Sequence, residues 1–243
     1  MLADYFELIG FGDEGWGQPL LTAAATTIAV SLAAYGVGLA LGLLGAWAKL
    51  SGVRWAERAA DTYTTVLRGV PDLLVIYLCY FGGSQILTGI GHALGADEFW
   101  GVNGFVAGTV AVGVVSGAYQ TEVLRGAYRA IPPGLIEAGT VAGMSRSLLL
   151  RRLVLPLGLR YALPGMNNVW QLVIKESALI SVTGLTEILR QVNVATGSTG
   201  EAFQFYITGA LMFLIISSGS GLLFRGAEAW SSRGVVPRAT RRA

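Results

Sequence analysis

The sequence predicts an all-α, polytopic membrane protein with about five transmembrane helices. Its 243 residues are 53% hydrophobic and only 13% charged. The mean hydropathy is +0.58, which leaves too little polar surface for a soluble domain. Apolar runs suited to crossing a hydrocarbon core of about 30 Å recur along the chain.

The first seventeen residues carry Asp4, Glu7, Asp13 and Glu14 but no Lys or Arg. A secretory signal opens with a basic region, so residues 1–18 read as an uncleaved segment outside the membrane. Residues 19–47 are uncharged and form the first span, with Pro19 suitably placed in its first turn. The second run, 73–84, is short unless it starts near Arg68 or continues through the Gly-rich stretch after Phe81. Residues 102–119 are the third span. Residues 161–182 are the fourth, interrupted only by Lys175 and Glu176, and 202–224 are the fifth. The membrane domain is thus 19–228, with a loop at about 130–156 and a tail at 229–243.

Short basic loops are retained in the cytoplasm, so the positive charges set the orientation. Fifteen of the seventeen Lys and Arg residues follow the first span, surround the 130–156 loop, or follow the last span. The opposite side holds only Arg190, and Lys175 lies within a span. The N-terminus is therefore expected outside, and the loop and C-terminus inside. The net charge of +2 reflects this topology rather than nucleic-acid binding. The tail arginines suit the inner membrane surface, where anionic lipid is within reach.

Glycines recur at helical spacing: Gly38 and Gly42, Gly104 and Gly108, Gly113 and Gly117. Such pairs let helices approach closely in lipid, where burial brings no hydrophobic gain. No internal repeat points to a carrier built from two related halves. The single cysteine, Cys79, reads as an apolar filler. His92, expected in an external loop, has no second His or Cys for a metal site. A phosphate-cradling loop needs Lys followed by Ser or Thr, yet Lys49 precedes Leu50 and Lys175 precedes Glu176. No metal or catalytic residues, and no resident cofactor, are assigned.

The 130–156 loop has its own local code. Pro132 and Pro133 can start a helix, Glu137 falls in its early turns, and Gly143 can end it in the left-handed conformation. Ser145 can then cap a second helix, expected to run to Pro156. Across the loop lies Glu137-Ala138-Gly139, three residues, Gly143, nine residues, Leu153, one residue, Leu155-Pro156. This spacing resembles the EAA loop of permease subunits of bacterial ATP-binding cassette importers, the segment that docks onto the ATPase in that family. The family usually has alanine where this chain has Gly139 and isoleucine where it has Leu153; both changes keep the residue small or aliphatic. The resemblance assigns ATPase docking to Glu137, Ala138, Gly139, Gly143, Leu153 and Pro156.

The likeness continues in Arg68-Gly69-Val70-Pro71, in Glu122 to Gly126, and in Arg160 to Gly165 with Trp170-Gln171. These segments look like the polar amino acid uptake family, and most like Q-type subunits of importers for histidine, lysine, arginine, ornithine or opines. The resemblance implies a type I importer transmembrane domain in the bacterial inner membrane, with the N-terminus periplasmic. It also implies a second permease subunit, expected to be M-type, two ATPases that bind ATP and Mg, and a periplasmic binding protein. This chain would then be no enzyme by itself.

Asn168, Gln171 and Lys175 fall on one face of the fourth span, flanked by Asn167 and Glu176. A charge inside the bilayer costs roughly 2.5 to 3.5 kcal/mol, so Lys175 should have a partner or line a wet cavity. Glu176 is one position on, about 100° around the helix, and does not naturally face it. These five residues and Arg68 are candidates for the substrate path; interhelical hydrogen bonding, snorkelling of Lys175 and an interfacial anchor at Arg68 are the alternatives. Rival readings of the whole chain are an ion-gradient-driven carrier or channel and a structural assembly subunit.

Overall fold

The computed structural model describes residues 8–12, 15–95 and 98–232, so most of the expected N-terminal segment and tail lies outside the described residues. These residues form helices without strands. Helix α1 is Gly17–Leu50, and the turn at Ser51-Gly52, with Gly52 at φ 71°, leads into α2, Arg54–Gly69. Val70 adopts the extended backbone favoured before proline, and Pro71 caps α3, Asp72–Ala93. A π-helical turn at Leu78–Gly82 lies within α3. The second predicted span therefore extends past Phe81, and His92 stands in the last turn of α3 instead of a loop.

Asn103 caps α4, Gly104–Arg129, by accepting the Phe105 N–H. Helix α5 is Pro133–Val141 and α6 is Arg146–Leu149. Through a second π-helical turn at Leu150–Val154, α6 runs on into α7, Leu155–Glu176. The second loop helix thus does not stop at Pro156. The widened turn, closed by the Leu155 N–H donating to the Leu150 carbonyl, comes just before Pro156, which lacks its own N–H and sits in the first turn of α7. A 3-10 segment, Ser177–Thr183, prolongs α7 until Gly184 at φ 85° stops it.

Glu187 caps α8, Ile188–Thr199, accepting the N–H groups of Leu189 and Arg190 at 2.9 and 2.7 Å. Thr27 of α1 accepts the neighbouring Ile188 N–H, which ties α8 to the bundle. Helix α9 is Ala202–Ser231. By length and composition, α1, α3 and α9 can cross a membrane. Helices α4 and α7, of 26 and 22 residues, are also long but less apolar, and their buried faces carry Gln120, Thr121 and Glu176.

Helix α4 lies at the centre, packed on α1, α2, α3 and α7; α7 packs in turn on α9. The main core joins Val30 and Ala34 of α1, Ile76 of α3, Ala111 and Val112 of α4, and Val169 and Val173 of α7. The glycine pairs do the work expected of them. A Cβ on Gly42 would lie 2.7 Å from Gln120 Cβ, and one on Gly113 would lie 2.8 Å from Val37. Gly108 receives Ile180 in the same way.

Gly36 lies on another face of α1, where a Cβ meets nothing within 4 Å. Gly42→Ala should therefore destabilise the fold by about 1–3 kcal/mol through overpacking. Gly36→Ala should be neutral or stabilise by up to about 1 kcal/mol, since alanine favours helix. Thermal unfolding of the two detergent-solubilised variants checks the contrast.

Candidate functional site: a docking hairpin and a polar route along the fourth long helix

In the 130–156 loop the local code is realised. Gly143 sits at φ 78°, and the Met144 N–H donates to the Gly139 carbonyl at 3.0 Å, closing the end of α5. Ser145 caps α6 by accepting the Leu148 N–H at 3.3 Å. Glu137 stands in the second turn of α5, past the first-turn position.

The pattern residues divide into two sets. Gly139 is buried: a Cβ there would lie 3.0 Å from Leu153 and 3.5 Å from Leu149. Gly139 and Leu153 thus hold α5 against the helix that follows, whereas Glu137, Ala138, Gly143 and Pro156 are exposed. Gly134, Glu137, Ala138 and Val141 share the outer face of α5 at spacings of three and four. Val141 is 90% exposed, the apolar tip of that face. The spacing match omitted it, although its position four residues after Glu137 would have found it.

The polar residues of α7 do not converge on one point. Asn168 lines a groove of about 320 Å³ with Arg68, Tyr119, Glu122 and Leu172. Gln171 is bound to α9: its Nε2 donates to the Ser217 carbonyl at 3.1 Å, and its Oε1 accepts from the Ser217 hydroxyl. That is the interhelical alternative. Lys175 is exposed beside a shallow apolar groove formed with Phe213, Leu214 and Ser217 of α9. Asn167 has a buried Oδ1 without a hydrogen-bond partner among the described residues.

Glu176 is buried at 4% exposure and faces Asp72 of α3, so it is not the partner of Lys175. Neither of its oxygens accepts a hydrogen bond among the described residues. The two carboxyl groups face each other from neighbouring helices, where a shared proton or a cation can lie between them. Sequence reasoning missed Asp72, which directly follows the quoted Arg68 to Pro71 segment. Arg68 is exposed on the wall of the Asn168 groove, with its guanidinium 5.3 Å from the centroid of the Tyr119 ring.

Because Gly139 is a packing residue, Gly139→Leu should force α5 away from Leu153 and Leu149 at a cost of about 1–3 kcal/mol. Limited proteolysis should then cut the 130–156 segment faster than in the parent protein. Val141→Ser should leave the cleavage rate unchanged, because that side chain touches little of its own chain.

The family described as "Binding-protein-dependent transport system inner membrane component" matches residues 38–235. The octopine transport system permease protein OccQ of Rhizobium radiobacter is 53% identical over 232 residues, covering 96% of this chain and 98% of that protein. The nopaline transport system permease protein NocQ of Agrobacterium fabrum is 45% identical, covering 94% of this chain and 97% of that one. The histidine/lysine/arginine/ornithine transport system permease protein HisQ of Escherichia coli is 36% identical, covering 86% and 92%. Among solved structures, an amino acid ABC transporter with histidines matches with a TM-score of 0.75 and 26% identity over 88% of this chain and 95% of that one. The inward-facing MetNI methionine ABC transporter, 16% identical with a TM-score of 0.70 over 90% and 98%, shares the fold. These likenesses set aside an ion-gradient-driven carrier. The chain belongs to the binding-protein-dependent transport system inner membrane components, the membrane permease subunits of ABC importers.

Proposed function

We propose that this chain is the Q-type half of an importer for cationic amino acids or opines, working by alternating access. One observation carries the coupling: the helix that starts at Ser145, beside the docking hairpin, continues through α7 to the buried Glu176. At 1.5 Å per residue it is a lever of roughly 45 Å. Movement of a partner ATPase against Glu137, Ala138 and Val141 is carried along it to the membrane cavity. Gly143 gives the hairpin its turn, while Gly139 and Leu153 keep its shape, and Pro156 lies just past the widened turn at the foot of the lever.

In this reading α1, the broken pair α2–α3, α4, α7 and α9 make five spans in the bacterial inner membrane. The N-terminus is periplasmic and the docking hairpin cytoplasmic. Two ATPase chains bind ATP and Mg and hydrolyse the nucleotide; this chain does not. A second, M-type permease subunit completes the cavity, and a periplasmic binding protein delivers the substrate. Asp72 and Glu176 attract the cationic group, with Asn167, Asn168 and Arg68 further along the route. Lys175 borders the α7–α9 groove, where a neighbouring subunit or water would solvate it. The names of the octopine, nopaline and histidine/lysine/arginine/ornithine permeases support that substrate class.

Proteoliposomes holding the full complex test this with octopine and L-arginine. Uptake should require ATP and survive ionophores that collapse ion gradients; ATP-independent uptake would contradict it. Glu176→Gln should lower uptake about tenfold, a loss of about 1.4 kcal/mol, while the ATPase still co-purifies.

A further inference from the structure

A second cleft, of about 600 Å³, adjoins the Asn168 groove and shares Arg68 and Glu122 with it. Its wall is the polar face of α2, where Glu57, Asp61, Thr65 and Arg68 follow one another at spacings of three and four. The apolar side of α2 turns elsewhere, with Trp55 80% and Val66 49% exposed. An amphipathic helix with one apolar exposed face and one polar face separates lipid from an aqueous space.

The charges lining the cleft are unevenly matched. Lys49 is buried and held by Thr64 at 2.7 Å, Asp61 at 2.7 Å and Glu122 at 2.5 Å. Glu122 also accepts from Arg125, at 3.0 and 2.6 Å, so these groups largely satisfy one another. Arg68 and Arg129 make no ion pair among the described residues, although both line the cleft. The guanidinium of Arg68 lies over the Tyr119 ring, 5.3 Å from its centroid, and makes no hydrogen bond among the described residues. A planar fork of unused donors at the junction of two clefts matches a carboxylate. Asp61 pairs through its Oδ1 with Lys49, but its side chain is still 58% exposed and keeps the opposite sign on the same wall.

We propose that this cleft is a release-side binding site for the zwitterionic head of the substrate, with the α-carboxylate on Arg68 and the ammonium toward Asp61. The site is distinct from the Asp72 and Glu176 pair. It rests on the importer reading for its substrate class. The mixed signs suit a group with both charges better than a simple anion, which the acidic residues would repel.

Thiol labelling in inside-out vesicles of the full complex tests the site. In a Cys79→Ala background, Thr65→Cys reports on the cleft wall and Val66→Cys on the apolar face of the same helix. The reagent is a membrane-impermeant trimethylammonium methanethiosulfonate, read as a mass shift on this chain. Because the reacting thiolate needs water, the Thr65→Cys variant should label about tenfold faster than Val66→Cys. L-arginine or octopine at twice its dissociation constant should slow that labelling about threefold by mass action. Agmatine, which lacks the carboxylate, should not slow it, and Arg68→Gln should abolish protection while leaving the unprotected rate fast.

Equal labelling at the two positions would show that the cleft is not aqueous and overturn the proposal. Protection by neither arginine nor octopine, equal protection by agmatine, or protection that survives Arg68→Gln would also overturn it. ATP-driven uptake by the parent complex, measured in parallel, tests the importer reading separately. Failed uptake with the expected protection pattern would sink the transport direction and not the site.

Discussion

The close approach of α1 and α4 is the constraint on which the rest of the structure depends. Helices in lipid gain nothing from hiding apolar surface, so intimate backbone contact must supply the attraction. Gly38, Gly42 and Gly45 of α1 meet Ser116, Gln120 and Thr121 of α4, and Gly113 and Gly117 receive Val37 and Leu41 in return. The space beside Gly117 also admits the Tyr63 hydroxyl, which donates to the Val114 carbonyl at 2.6 Å. One glycine interface therefore seats α1, α4 and α2 together. With α4 fixed, Tyr119 and Glu122 are placed against Arg68, and α7 has the surface on which it packs.

Polar contacts then select one arrangement of those helices. Gln120 donates to the Tyr35 carbonyl at 3.3 Å, and the Tyr35 hydroxyl donates to the Met166 carbonyl at 3.1 Å, linking α4, α1 and α7. The Lys49 cluster joins α1, α2 and α4 at one end of the bundle. A buried charge of this kind adds little net stability, because desolvation offsets attraction, but an incorrect packing would leave it unpaired. In the cleft Lys49, Asp61, Glu122 and Arg125 are paired, while Arg68 and Arg129 make no ion pair among the described residues. At the other end, burial pushes the Glu187 carboxyl up to about 7, against the backbone N–H groups it accepts.

Much of the fold was legible because membrane spans and helix ends are encoded locally. Pro133, Gly143 and Ser145 were placed correctly from their own chemistry, and the three glycine pairs marked real helix contacts. The continuity of α6 with α7 was not legible, since Pro156 reads as a terminator unless a widened turn precedes it. The polar face of the fourth span was legible as a face, but its division was not. Gln171 binds Ser217, 46 residues away in sequence, and Glu176 faces Asp72, on a helix whose position follows from α4. For the same reason Gly139 reads as a surface residue in sequence, while its burial depends on the later Leu153.

The central claim is that force enters at the hairpin and travels along one helix into the membrane. The most direct measurement is cysteine crosslinking from Val141→Cys to the ATPase in the assembled complex, with and without ATP, in a Cys79→Ala background. A specific adduct to the ATPase, with a yield that changes with nucleotide, is the predicted result. An intact, transporting complex in which that position reacts only with lipid-borne or soluble reagent and forms no ATPase adduct would contradict it.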